Sequence, residues 1–161
     1  MTESNKDSDQ LVIRKSVFVN ASQAHAFEVF TMKHSLWWPL QSHHIGNDPQ
    51  SALIEPKVGG RWFERSKDGA ECDWGRVLVW EPPSRIVLTW DISPDWKYHP
   101  HLGTEVEVRF IPESPNSTRV ELEHRHLERY GAFGGKMKDI FDSDGGWGGI
   151  LRGYVQVAEK I

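Results

Sequence analysis

The sequence predicts an α+β domain in which a curved antiparallel sheet of about seven strands wraps around a long C-terminal helix. Three observations lead there. Short β-type runs follow one another from Val58 onward between tight turn signals, two of these runs alternate strictly between apolar and polar residues, and the last segment repeats apolar residues every three or four positions. A sheet with one apolar face needs a cover, and the helical stripe supplies it.

A chain of 161 residues fits one core, so a single domain over 11–161 is expected. The formal net charge of -4, from 19 basic and 23 acidic residues, leaves no positive excess to hold phosphate backbones, and nucleic acid is not an expected partner. Eight Trp provide bulky apolar surface for a core and for a pocket lining. Cys72 is the only cysteine, which excludes an internal disulfide and a Cys-based zinc cluster and points to a reducing, cytoplasmic setting. Met1 to Gln10 is polar, has no secretion-signal core and reads as a disordered tail; no later run is apolar enough for membrane insertion.

Leu11 to Asn20, with Val12, Ile13, Val17, Phe18 and Val19, suits a first strand. Ser22 can cap a helix running from about Gln23 to Thr31, on which Ala26, Phe27 and Phe30 form one stripe. Pro39 stops helical continuation after Trp37 and Trp38, and the chain reads as irregular up to about Pro56. Strands follow at Gly60 to Ser66, Cys72 to Trp80, Arg85 to Ile92, Thr104 to Ile111 and Thr118 to Leu127. Asp68-Gly69, Pro82-Pro83 and Pro115-Asn116 mark tight connections, so the strands form an antiparallel meander. The longer Ser93 to Gly103 connection has the length of a loop with a role of its own.

Val106, Val108 and Phe110 alternate with Glu105, Glu107 and Arg109; Val120, Leu122, His124 and His126 alternate with Glu121, Glu123 and Arg125. One face is therefore solvated and the other covered. The cover is the stripe Trp147, Ile150, Leu151, Tyr154, Val157, Ala158 and Ile161. Gly145, Gly146, Gly148, Gly149 and Gly153 fall in this helix, where glycine costs up to about 1 kcal/mol each relative to alanine. Close approach to the sheet, or an open groove at the helix N-terminus, would compensate.

The short motifs Val58-Gly59-Gly60-Arg61-Trp62, Trp74-Gly75-Arg76-Val77-Leu78, Glu81-Pro82-Pro83, Ile86 to Trp90 and Gly146-Trp147-Gly148-Gly149 stand in the same order as in a known family. In combination the chain resembles the Hsp90-ATPase-activator-homologue-like branch of the START/Bet v 1-like (SRPBCC) superfamily, from about Val12 to the C-terminus. That resemblance implies a helix-grip fold with one strand, two small helices, six further strands and a long final helix. Its members include ligand carriers, cyclase-like enzymes and a co-chaperone domain linked to stress response, and it supplies no catalytic motif to carry over.

Trp38, Trp74, Trp90 and Trp147 each lie near a motif that the family places around a cavity, and a ligand meeting them would be apolar or aromatic. Singly, each is more often core packing than a ligand contact, and the set is more suggestive than any member. His124 and His126 share the apolar strand face, where a neutral imidazole can hydrogen-bond a ligand or move a proton; the alternative is a core-edge histidine satisfied within the protein. His-x-His also has metal-ligand spacing, with His99 and His101, or His43 and His44, as further donors, but no spacing requires a metal. Glu64, Asp73 and Arg76 lie on the Asp68-Gly69 hairpin, where an uncertain register leaves them without assigned roles and a solvated ion pair is the plain expectation. No nucleotide loop, GxSxG elbow or HExxH helix is present, and no cofactor is called for.

The expected function is binding of a small hydrophobic or aromatic molecule between sheet and helix, with the Trp37 to Pro56 segment and the Ser93 to Gly103 loop at the entrance. The alternatives are a cyclase- or hydrolase-like enzyme using a cavity histidine, and a co-chaperone with a chaperone partner. Edge strands offer a route to a homodimer.

Overall fold

The alternation along the chain becomes a seven-stranded antiparallel sheet in the computed structural model, which describes residues 11–161. The expected tail at 1–10 lies outside the described residues. Strand β1 (Ile13–Val19) leads into helices α1 (Gln23–Thr31) and α2 (His34–Trp37). The meander follows as β2 (Pro49–Ile54), β3 (Arg61–Ser66), β4 (Glu71–Glu81), β5 (Arg85–Trp90), β6 (Thr104–Ser114) and β7 (Ser117–Arg125). A 3₁₀ segment (Leu127–Phe133), helix α3 (Gly134–Asp142), a π-helical turn (Asp144–Gly148) and helix α4 (Gly149–Lys160) complete it. The sheet order is β1-β7-β6-β5-β4-β3-β2, so sequential strands pair and β1 adds beside β7. A curved antiparallel sheet gripping a C-terminal helix is the helix-grip arrangement.

The register places Val106 opposite His124, Val108 opposite Leu122 and Phe110 opposite Val120, all buried on the inner face. The outer face carries the charged partners of the alternation. There Glu107 is itself buried among Arg85, Arg109 and Arg125, with Arg85 Nε 2.6 Å and Arg109 Nε 2.8 Å from its carboxylate. Burial works against ionisation, but hydrogen bonds from Arg125, Arg109 and Arg85 prevail and bring the Glu107 pKa down to about 2.

Ser22 caps α1 as expected, accepting from the His25 amide at 3.2 Å. Helix α4 buries Ile150, Leu151, Tyr154 and Ala158 and is tied to α1 by the Tyr154 hydroxyl donating to the Ala26 carbonyl at 2.6 Å. Around them Phe30, Trp37 and Tyr154 meet edge to face or tilted, with ring centroids 4.8 to 5.1 Å apart, and fill this part of the interior.

Four details differ from the sequence reading. Strand β2 forms inside the segment read as irregular, because its backbone completes the edge of β3. The stretch between β7 and α4, unassigned from the sequence, contains the 3₁₀ segment and α3, on which Met137, Ile140 and Phe141 stand at helical spacing and face the core. Helix α4 begins only at Gly149, so Gly145 and Gly146 belong to the turn before it. A Cβ on Gly146 would sit 2.3 Å from the Phe141 carbonyl oxygen, so close backbone approach, not helix packing, demands glycine there. Finally, the register left open for the β3–β4 hairpin is the bulged one: it shifts between Trp62 and Phe63, so that Trp62 faces Gly75 and Phe63 faces Asp73, leaving Trp74 as the extra residue.

Candidate functional site

That bulge helps build the site. A cavity of about 430 Å³ opens between the sheet and the α3–α4 turn, and Trp38, Trp74, Trp90 and Trp147 all line it. The four indoles form a closed circuit of neighbouring rings, with centroids 5.1 Å apart for Trp38 and Trp74, 6.2 Å for Trp74 and Trp90, 6.3 Å for Trp90 and Trp147, and 6.0 Å for Trp147 and Trp38. Ile45, Ile92, Ile140, Phe141 and Ile150 extend the apolar lining. Ser42, His43 and His44 supply its polar side chains, and Trp96, on the β5–β6 loop, closes one side while remaining 46% exposed. Both segments expected at the entrance therefore contribute.

Three of the four indole N–H groups are committed inside the protein. Trp38 Nε1 donates to the His43 carbonyl at 2.9 Å, Trp74 Nε1 to Glu64 at 2.9 Å, and Trp147 Nε1 to His124 Nδ1 at 3.1 Å. Trp90 Nε1 is buried and has no hydrogen-bond partner among the described residues. The walls thus present ring surface and almost no donors to an occupant.

His124 is fully buried behind Trp147 and Phe141 and does not reach the cavity. Because Nδ1 accepts from Trp147, the proton sits on Nε2 and is directed at Thr104 Oγ1, 3.1 Å away; that hydroxyl donates to the Trp90 carbonyl at 2.6 Å. Burial lowers its pKa to about 3, so the ring is neutral. The expected ligand contact is corrected: His124 is the internally satisfied core histidine. His126 also departs from expectation. Strand β7 ends at Arg125, and the left-handed backbone of His126 (φ 65°) breaks the alternation that would have carried it inward. Its ring lies 3.7 Å from Glu105 and 3.5 Å from Glu128, partly exposed and away from the cavity.

Glu64, Asp73 and Arg76 separate into two roles. Asp73 pairs with Arg61 at 3.1 Å and Arg76 at 3.0 Å near the surface, as a solvated pair would. Glu64 is instead fully buried, accepting from the Ile45 amide at 2.6 Å, the Gly46 amide at 3.0 Å and Trp74 Nε1. One carboxylate therefore fixes both a cavity wall and the 42–46 loop, the opposite of the solvated ion pair expected for it. Among the described residues no three His, Cys, Asp or Glu side chains converge to hold a metal ion.

The family model described as Activator of Hsp90 ATPase homolog 1-like protein matches residues 20–159. The chain belongs to that family. A search of curated proteins gives no match. Among solved structures of the family's fold, an anthrahydroquino-gamma-pyrone synthase, Txn09, complexed with SUM is 39% identical, with 91% of this chain and 96% of that one covered and a TM-score of 0.64. The self-sacrificing resistance protein CalC from Micromonospora echinospora is 27% identical over 92% of this chain and 94% of its own, with a TM-score of 0.68. Protein NE0264 from Nitrosomonas europaea, 12% identical with a TM-score of 0.67, shows the fold alone. No helix among the described residues is long and apolar enough to cross a membrane.

Ser42, Ile45, Phe141 and the Gly145-Gly146 backbone were not singled out from the sequence. His43 and His44 drew attention only as metal donors, and the sequence signals for this wall were the glycine cluster, read as an opening beside the helix, and the Trp37 to Pro56 segment, read as part of the entrance.

Proposed function

We propose that residues 11–161 act as one domain that binds a flat aromatic molecule in the cavity between the sheet and α4. The closed circuit of Trp38, Trp74, Trp90 and Trp147 carries this reading, because four indoles, three with their N–H groups already engaged by protein groups, offer stacking surface and little hydrogen bonding. A volume of about 430 Å³ lies within the range of about 300–1,000 Å³ typical of small-molecule pockets. The part of the interior between α1 and α4 is packed, so the space beside Trp147 is a local opening in an otherwise filled core.

Conversion of the ligand is a second reading, favoured by one observation: at 39% identity the similarity to a pyrone synthase runs over 91% of this chain. An aromatic polyketide is the ligand class to which that similarity points.

Native mass spectrometry of the purified protein, with tryptophan fluorescence recorded during titration with an anthraquinone, tests the binding reading. Quenching that saturates, or a retained aromatic mass, is expected. Unchanged emission throughout the titration together with an empty protein would overturn it.

A further inference from the structure

We infer that Ser42 and His43 form a proton-transfer pair at the cavity wall, able to close an oxygen-containing ring on a flat aromatic ligand. This rests on the ligand reading above and adds the group that would act on the ligand.

The tautomer follows from the hydrogen bonds. His43 Nε2 lies 2.6 Å from the Gly145 carbonyl oxygen, which can only accept, so Nε2 carries the proton. Nδ1 then has a free lone pair, and Ser42 Oγ stands 2.7 Å from it. The same hydroxyl is 3.3 Å from the Pro39 carbonyl, the longer and weaker alternative. A serine whose proton points at an imidazole, with the far nitrogen fixed by an acceptor, is the arrangement that makes a hydroxyl basic. Both residues line the cavity beside Trp38, on its solvent-open side.

The pair is held from both sides. Trp38 Nε1 binds the His43 carbonyl at 2.9 Å, the His43 amide donates to the Pro39 carbonyl at 3.0 Å, and Glu64 grips the amides of Ile45 and Gly46. His34 and His124 differ in being fully buried, with no side-chain hydroxyl poised to receive a proton from a ligand in the cavity. His44, the other histidine of the lining, turns Nδ1 back onto the Gly46 carbonyl at 2.7 Å.

A phenol or enol O–H placed against Ser42 gives up its proton to Ser42 Oγ while Ser42 passes its own to His43 Nδ1. The Gly145 carbonyl stabilises the resulting imidazolium through Nε2–H. The freed oxygen forms a C–O bond to the β-carbon of a conjugated enone in the same molecule, and the C=C π electrons move to the α-carbon. That carbon takes the proton back from His43 through Ser42. The product is an isomer of the starting material, nothing is oxidised or reduced, and no co-reactant is needed.

The test uses 2′-hydroxychalcone, which closes to flavanone by this step and loses its long-wavelength absorbance as it does so. Binding is read separately from quenching of tryptophan fluorescence by the same compound. Wild-type protein is expected to bind it and to accelerate closure over buffer. His43→Gln is expected to lose about 100-fold of that acceleration and Ser42→Ala about 10-fold, while both variants still quench saturably with the compound. His43→Asn replaces the Gln variant if the latter does not fold. Binding without acceleration by wild type, or full acceleration by a folded His43 variant, overturns the inference and leaves the ligand reading standing. No quenching by wild type overturns the ligand reading beneath it.

Discussion

Trp147 donates its indole proton to His124 at 3.1 Å, and this one bond fixes the histidine as a neutral acceptor and the tryptophan as a cavity wall with no donor facing inward. Trp147→Phe removes the donor and leaves a buried imidazole nitrogen unpaired. A stability loss of about 2 kcal/mol is expected from the unsatisfied acceptor and the smaller ring, measured by urea unfolding, with ligand affinity falling about tenfold. Unchanged stability would mean that the bond contributes nothing to the fold.

Two buried histidines make the fold sensitive to mild acid. Burial lowers His34 to a pKa of about 3 despite the hydrogen bond to the Phe30 carbonyl, and His124 likewise to about 3. In the unfolded chain both titrate near about 6.5, so as pH falls below that value protons bind the unfolded chain first. Stability is therefore complete above about pH 6.5 and declines from there toward about pH 3, by roughly 1 kcal/mol per pH unit for each histidine. Urea unfolding at several pH values between 7 and 4.5 checks the slope, and His124→Gln should flatten it.

Glu64 accepts from three donors, one buried and two part-buried, and among the described residues no basic side chain pairs with it. Glu64→Ala strands the Ile45 and Gly46 amides and Trp74 Nε1, and should destabilise the protein by about 3 kcal/mol. Hydrogen exchange at Ile45 and Gly46 should rise with it. Retained protection at both amides would show that the loop is held by other contacts.

Gly146→Ala places a methyl 2.3 Å from the Phe141 carbonyl oxygen and 2.6 Å from that of Ile140. Both are backbone atoms, so the turn must shift, with a loss of about 2 kcal/mol or more in thermal or urea unfolding. Gly135→Ala, where a Cβ meets nothing within 4 Å, is the control and should change stability by less than about 0.5 kcal/mol.

Trp96 is half exposed on a loop with a left-handed backbone (φ 61°) and touches the cavity from outside the core. Trp96→Ala should leave the unfolding free energy within about 0.5 kcal/mol while speeding ligand release several-fold in stopped-flow fluorescence. An unchanged release rate would remove the loop from the path of the ligand.

The sheet was legible because strand alternation is a local signal: Val106, Val108, Phe110, Val120 and Leu122 are buried where their spacing puts them. The four cavity tryptophans were legible from their places in short motifs. His126 was not, since a single left-handed residue ends an alternation that the sequence continues unbroken. Nor was Glu64, whose partners come from a loop some 18 residues earlier and whose surroundings depend on a bulge at Trp74. Ser42 and His43 carry no motif; only the fold brings Gly145 to them across more than a hundred residues. Contacts between distant segments write no period into a sequence.

An indole ring whose N–H is already engaged recognises breadth and polarisability and is indifferent to the pattern of hydroxyl and carbonyl groups around an occupant's edge. The walls of this cavity therefore set the shape class of what fits, and discrimination among close chemical cousins is left to the few polar atoms of the 42–44 loop and the single unengaged indole N–H of Trp90. Substitutions in that loop would retune selectivity without touching the core, whereas altering the tryptophans would change the kind of molecule admitted.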